Sequence, residues 1–296
     1  MAVFKHAYKG YDGPLTPAWS RFLILPRYAF EEMRRKRFYS MFFLVSMLGP
    51  LICALIIYIE HNLSALKMLR VDSLIEINAR YFQNFLGWQS MLAFFLAAFV
   101  GPGQISPDLA NNALPLYLAR PFSRTEYVLG KLSVLLILMS IMTWIPGLLL
   151  FILQAALQGQ GWLGQNLRIA NAIFFASWIW ILLLSLLALA LSAWVKWKPM
   201  AGGLLFGVFF VAAGFGGAIN GIMRTQWGNL LNLSHLIGAV WTSLFEQPMH
   251  RGSGAMFFRV HGNEVPIWCC WVSLLAICAF CLYLLSRKIR GAEVVR

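Results

Sequence analysis

Formal charge is missing from most of this sequence: no Asp, Glu, Lys or Arg occurs between residues 39 and 59, 86 and 107, 132 and 167, 169 and 195, or 265 and 286. Ion-driven carriers and proton pumps keep ionisable groups at membrane depth to bind the driving ion, so this gap speaks against self-powered transport. A phosphate-binding loop is missing too. Gly130-Lys131 is followed by Leu132, and Thr125 stands where G-x-x-x-x-G-K-[ST] needs its first glycine. If ATP drives the protein, another chain binds it. No Ser-His-Asp set, carboxylate pair or H-E-x-x-H arrangement stands out, so nothing in the residues argues for an enzyme. Cysteine is sparse: Cys53, Cys269, Cys270, Cys278 and Cys281 all fall inside apolar runs, without zinc or haem spacing. They read as unpaired packing residues. His235, His250 and His261, with Met249 and Met256, form no compact ligand pattern and read as surface side chains rather than a metal site.

What is present is apolar surface. With 60% hydrophobic and 12% charged residues, against roughly a quarter charged in soluble domains, the chain reads as an all-α integral membrane protein. Six runs are long enough to cross about 30 Å of hydrocarbon at about 1.5 Å per residue. They lie at 39–59, 86–105, 129–154, 171–195, 200–222 and 266–286 and make up a transmembrane domain over 39–286. A leader with an amphipathic segment occupies 1–38, and a basic tail 287–296. The first run lacks an A-x-A cleavage pattern and reads as an anchor, not a removable signal peptide.

Six spans put both termini on one side. On the other side stand only Lys67, Arg70, Arg80, Arg168, Arg224, Arg251 and Arg259, and the rest of the 24 Lys and Arg lie with the termini. The positive-inside rule therefore predicts cytoplasmic termini and an inner-membrane location. The net charge of +13 is mostly topology and no sign of nucleic acid binding.

Residues 19–38 interleave aromatic and aliphatic side chains with Arg27, Glu31, Arg34 and Arg35, the mixture of a helix lying in the headgroup layer; an ordinary basic flank is the plainer reading. Glu31 with Arg35 and Glu32 with Lys36 are acid-before-base pairs at i,i+4, and Pro26 is expected to split the stretch. Gly49-Pro50 and Pro146-Gly147 are expected to kink spans one and three. Span five carries two G-x-x-x-G spacings, Gly203 with Gly207 and Gly217 with Gly221. They suit a close helix contact, within the chain or across a dimer, or they reflect the general frequency of glycine in membrane helices. Gln89, Ser140, Thr143, Gln154, Ser177, Ser185 and Asn220 are read as hydrogen-bonding neighbouring helices. Outside the membrane, Leu63, Leu66, Leu69, Leu74, Ile77, Tyr81 and Phe85 suggest an amphipathic helix over 60–85. In the long loop 223–265, Leu230, Leu233, Ile237, Val240, Trp241 and Leu244 form an apolar stripe with Asn229, Asn232 and His235 opposite, read as short re-entrant helices.

The polar interruption at 106–131 is the most informative stretch. Ser106 is placed to cap a short helix with Pro107 at its first position and Asp108 against the helix dipole. That helix would carry Leu109, Leu114, Leu116 and Tyr117 and stop before Arg120-Pro121. Ser123-Arg124-Thr125-Glu126 reads as a capping box, with Phe122 and Tyr127 as its hydrophobic staple, launching span three at about Arg124. An exposed helix this short with an apolar face needs a cover, either a partner or the lipid surface.

Pro107-Asp108-Leu109, Leu116-Tyr117-Leu118-Ala119-Arg120-Pro121-Phe122-Ser123-Arg124 and Glu126-Tyr127-Val128-Leu129-Gly130-Lys131 resemble the loop between spans two and three of type-2 ABC transporter permeases. The layout of interfacial helix, six spans and a large last external loop is similar as well. The resemblance implies the permease subunit of an ATP-binding-cassette exporter, a homodimer or heterodimer on two copies of an ABC ATPase subunit that holds ATP and magnesium. It makes 107–119, with Pro107, Asp108, Leu109, Leu114, Leu116, Tyr117, Arg120, Pro121 and Arg124 in and around it, the coupling helix. The residues alone leave a non-transporting membrane scaffold as the alternative, and the substrate unspecified.

Overall fold

A computed structural model describes residues 17–62, 76–113, 117, 123–159, 161–248, 258, 260 and 265–289, and among these it is helical with no strand. Leu114, Leu116, Arg120, Pro121, Phe122, the leucines at 63, 66, 69 and 74, His250, His261, Met249 and Met256 lie outside the described residues. A 3-10 turn over Ala18–Leu23 leads into α1 (Ile24–Arg35), and an extended Lys36 forms the elbow to α2 (Arg37–Glu60). Then come α3 (Ala79–Val100), α4 (Pro102–Ala110), α5 (Arg124–Met142), α6 (Trp144–Gln158), α7 (Trp162–Trp194) and α8 (Lys198–Met223). A second 3-10 turn, Trp227–Leu231, precedes α9 (Leu233–Leu244), and α10 (Ile267–Lys288) is the last helix among the described residues.

Among the described residues six stretches are long and apolar enough to cross a membrane: Arg37–Glu60, Ala79–Ala110, Arg124–Gln158, Trp162–Trp194, Lys198–Met223 and Ile267–Lys288. Span four, α7, is the axis of the bundle. It packs against α3, α4, α5, α6, α8, α9 and α10. Trp180, Ile181, Leu184 and Ala188 are fully or almost fully buried along it, and Trp180 meets the rings of Phe94, Phe209 and Phe258. Span one is the least buried, with Met41, Leu44 and Leu51 each more than 60% exposed. In hydrocarbon such side chains cost nothing to leave facing outward.

Several helices run further than the apolar runs suggest. Residues 79–85 belong to span two rather than to an external helix, because Asn78 caps its first turn through Oδ1, accepting from the amides of Arg80 and Tyr81. Pro50 does not break α2. Its missing N–H leaves the carbonyl of Ser46 without its helical partner, and Gln89 Nε2 donates to that oxygen at 3.1 Å, tying span two to span one. Span three does break, at Thr143, four residues after the carbonyl of Met139 to which its hydroxyl donates at 2.8 Å. Pro26 sits in the first turn of α1, so the split falls at the join between the 3-10 turn and α1.

Two polar groups of the loop 223–265, Asn229 and His235, are not on a wet face. Asn229 and His235 are 5% and 2% exposed, and Asn232 is the N-cap of α9, its Oδ1 accepting from the His235 amide. Apolar periodicity placed them opposite the stripe, yet packing between α8, α9 and α10 encloses both sides. Trp241 Nε1 donates to the Ala176 carbonyl at 2.9 Å and locks α9 onto α7.

Candidate functional site

The candidate site lies where spans two and three meet at the end of the bundle that carries α1. Gly101 and Pro102 interrupt span two, and the interruption is filled by span four. Ser192 Oγ accepts from the amides of Ile105 and Ser106 at 3.0 and 2.9 Å and donates to the carbonyl of Pro102 at 3.0 Å. Ser106 Oγ returns a bond to the Ser192 carbonyl at 2.9 Å. Ser106 is therefore no helix cap. It is fully buried in the middle of α4, which starts at Pro102, since a proline at the first helical position lacks only an amide that would go unpaired anyway. At Gly101 an added Cβ would stand 2.7 Å from the Ala188 methyl, and at Gly202 it would stand 2.8 Å from the carbonyl of Ala98. Ala98 is the residue whose helical partner Pro102 removes, so the backbones of spans two, four and five converge on this break.

Asp108 falls in the last turn of α4, not the first, so the helix dipole does not favour it there. A different set of groups holds it. Lys131 Nζ pairs with Asp108 Oδ2 at 2.9 Å and Tyr127 Oη donates to the same oxygen at 2.6 Å, both reaching over from α5. The two charged side chains are only 13% and 16% exposed. Lys131 Nζ also sits 5.9 and 5.6 Å from the ring centres of Tyr117 and Tyr127, which lie 5.5 Å apart. Burial, then the charge of Asp108, pushes the Tyr117 hydroxyl above its ordinary range.

α5 starts as its first residues dictate. Ser123 Oγ accepts from the Glu126 amide at 3.2 Å and the Glu126 carboxylate accepts from the Ser123 amide at 2.6 Å, the capping box expected at that point, with Arg124 the first helical residue. One turn on, Gly130 makes room for the N-terminal segment. A Cβ there would come within 2.6 Å of Leu25 and 2.8 Å of the Phe22 carbonyl, so only glycine lets the 3-10 turn and α1 lie directly on span three. The Gly130-Lys131 step thus performs two tasks: glycine seats the N-terminal segment and lysine holds Asp108.

A cleft of about 440 Å³ opens beside this clamp, lined among others by Met33, Lys36, Asp108, Tyr117, Lys131 and Lys198. On its α1 wall Arg35 pairs with Glu31 at 2.8 Å and Lys36 with Glu32 at 2.6 Å. The hydrogen bond and charge of Lys36 hold the Glu32 carboxyl below the ordinary carboxylate range. Arg27 and Arg34 on the same helix are exposed. These surface pairs contribute little to stability and leave a basic face outward.

Of the predicted coupling helix, 107–110 is the end of α4, Asn111-Asn112 form a turn with Asn112 at φ 52°, and Tyr117 is helical. Pro107, Asp108, Leu109, Tyr117 and Lys131 come together, with Leu109 and Tyr117 packed on the core cluster, while Arg124 lies exposed at the start of α5.

The four glycines with G-x-x-x-G spacing have no atom of the described residues within 4 Å of a Cβ built on them, so among these residues none of Gly203, Gly207, Gly217 and Gly221 makes a close contact. The close approaches on span five belong to their neighbours Gly202 and Gly216. Gly216 faces Gly228, each Cβ meeting the other's carbonyl at 2.3 Å. Spacing alone gave the period of the stripe but not which face of α8 the chain itself uses.

No curated protein matches the chain at a significant level. A family model described as ABC-2 family transporter protein matches residues 29–285, from the middle of α1 almost to the end of α10. That match takes in five of the apolar spans, nearly all of the sixth, the clamp and most of the cleft beside it, and this chain belongs to the ABC-2 family of transporter proteins.

Proposed function

We propose that this permease is the membrane-spanning subunit of an ATP-driven exporter, moved by a separate ABC ATPase that binds ATP and magnesium. The observation that carries the reading is the Asp108 clamp. A segment that receives force must pass it on rather than absorb it, and here both ends of the loop after span two are tied together through Asp108, Tyr127 and Lys131. Ser192 continues the link into span four, against which most other helices pack. Displacing residues 107–119 would move spans two, three and four as one body.

In this reading the ATPase seats the apolar face around Leu114, Leu116 and Tyr117 in a groove and touches Arg27 and Arg34 on α1. Arg120, Pro121 and Arg124 form the exit from the coupling helix. Two permeases, identical or homologous, stand on two ATPases with both termini in the cytoplasm, and the inner membrane is the site of action. Gly203, Gly207, Gly217 and Gly221 are then available to the second permease. The Trp227–Leu231 turn and α9 dip back from the external side, backed by protein.

Coexpression with the ATPase and a pull-down test the proposal. Replacing Leu114 and Leu116 by Asp puts two charges on the docking face while leaving Tyr117 in the clamp, and should abolish co-purification while the permease itself still inserts. Unchanged recovery of the ATPase, with unchanged ATP turnover, would remove the coupling helix from the account.

A further inference from the structure

At the far end of span five from the clamp, about 39 Å along a helix of 26 residues at about 1.5 Å each, the structure holds a second polar constellation. A cleft of about 610 Å³ is lined there by Ala213, Gly217, Asn220, Gly221, Arg224, Thr225, Gln226, Asn229 and Asn232. Among the described residues no carboxylate lines it. Its chemistry follows from which ends of the amides are already in use.

Two backbone amides, which can only donate, fix the orientation of all four side-chain amides. The Gly228 N–H donates at 2.7 Å to Asn220, so the acceptor is Oδ1 and Nδ2 is the other end. Asn220 Nδ2 donates to Asn229 Oδ1 at 2.8 Å, which turns Asn229 Nδ2 onto Gln226 Oε1 at 2.9 Å. Independently, the His235 N–H donates to Asn232 Oδ1 at 3.2 Å. All four amide oxygens are therefore engaged within the protein. The side-chain hydrogens left for a ligand are those of the Gln226 and Asn232 amino groups and the Arg224 guanidinium, with the Thr225 hydroxyl able to donate or accept. The carbonyl end of α8 and the amide end of α9 both approach the cleft, and their opposite partial charges offset, which leaves Arg224 to set its sign.

The geometry points to an oxyanion site in this cleft, taking a phosphate-type group carried on a lipid headgroup or free in solution. The amino groups and the guanidinium offer hydrogens to oxygens that only accept, and the guanidinium's positive charge favours a ligand of negative charge. Among the described residues nothing stands within 4 Å of a Cβ built on Gly217 or Gly221, which leaves room beside the headgroup for the remainder of an amphiphile.

Two variants isolate the claim because each keeps the structural bond and exchanges only the free donor for an oxygen. In Asn232→Asp the carboxylate still caps α9 through the His235 amide, and in Gln226→Glu an oxygen still accepts from Asn229. The full-length permease, purified in uncharged detergent, is titrated with phosphatidylglycerol, with phosphatidylcholine and with inorganic phosphate, counting bound molecules by native mass spectrometry. The wild type should retain phosphatidylglycerol over phosphatidylcholine at one site that either substitution, or Arg224→Gln, weakens about tenfold or more. Competition by inorganic phosphate would identify a free oxyanion as sufficient; no competition would assign the site to the lipid headgroup. Equal phosphatidylglycerol retention by wild type and all three variants, with no phosphate binding, overturns the proposal. The assay needs no ATPase, so its outcome is separate from that of the coupling reading.

Discussion

Asp108 and Ser192 are the residues on which the account depends most, and each can be tested alone. Asp108→Ala would leave the Lys131 ammonium and the Tyr127 hydroxyl without their acceptor in a site where the paired side chains are 13% and 16% exposed. Breaking one half of such a pair should cost about 3 kcal/mol, whereas the double change Asp108→Ala with Lys131→Met should recover most of it. Thermal unfolding of the purified variants in detergent reads both. Ser192→Ala removes one acceptor from two amides and one donor from a carbonyl, all buried, and should cost about 1–3 kcal/mol in the same measurement. The capping box at Ser123 was legible in the sequence because its partners are three residues apart. The Ser192 contact was not, since its partners lie 86 to 90 residues away and a serine in an apolar helix carries no local signal of what it faces.

At the scale of helices, the glycines of span five divide into two faces with opposite predictions. Gly216→Ala places a methyl 2.3 Å from the Gly228 carbonyl, so the Trp227–Leu231 turn must lift from α8; folding yield and thermal stability should both fall. Gly203→Ala and Gly207→Ala meet open space within the chain and should leave the stability of the single subunit unchanged. If a second permease covers that face, Gly207→Leu should instead shift dimer to monomer by light scattering, with the subunit still folded. Gly130→Ala belongs with the first class, because Leu25 and the Phe22 carbonyl occupy the space, and it should free the N-terminal segment to protease. The apolar runs showed the number of spans, since charge-free length is a local property. They left out the last turns at either end, as at Asn78 and Ser123, where caps rather than hydropathy set the boundary.

For the whole molecule, span four serves as a spine to which spans two, three, five and six attach, while span one stays mostly exposed. In the proposed function such a body moves as a unit when one corner is pushed, at the clamp where Lys131 and Tyr127 hold Asp108. The sequence made that corner conspicuous as a polar break between apolar runs. It could not show that Asp108 answers to Lys131, or that Gly130 is the seat of the N-terminal segment, because both facts depend on how spans two and three come to lie side by side. The measurement that tests the central claim most directly is ATP turnover by the co-purified ATPase–permease complex in proteoliposomes, comparing wild type with Asp108→Asn. Asparagine keeps the side chain's size and loses the charge that holds Lys131, while the apolar docking face is untouched. The account predicts that the variant still binds the ATPase but loses most of the permease-dependent change in turnover. Turnover equal to wild type, with the complex intact, would contradict the claim that force enters this protein through the clamp.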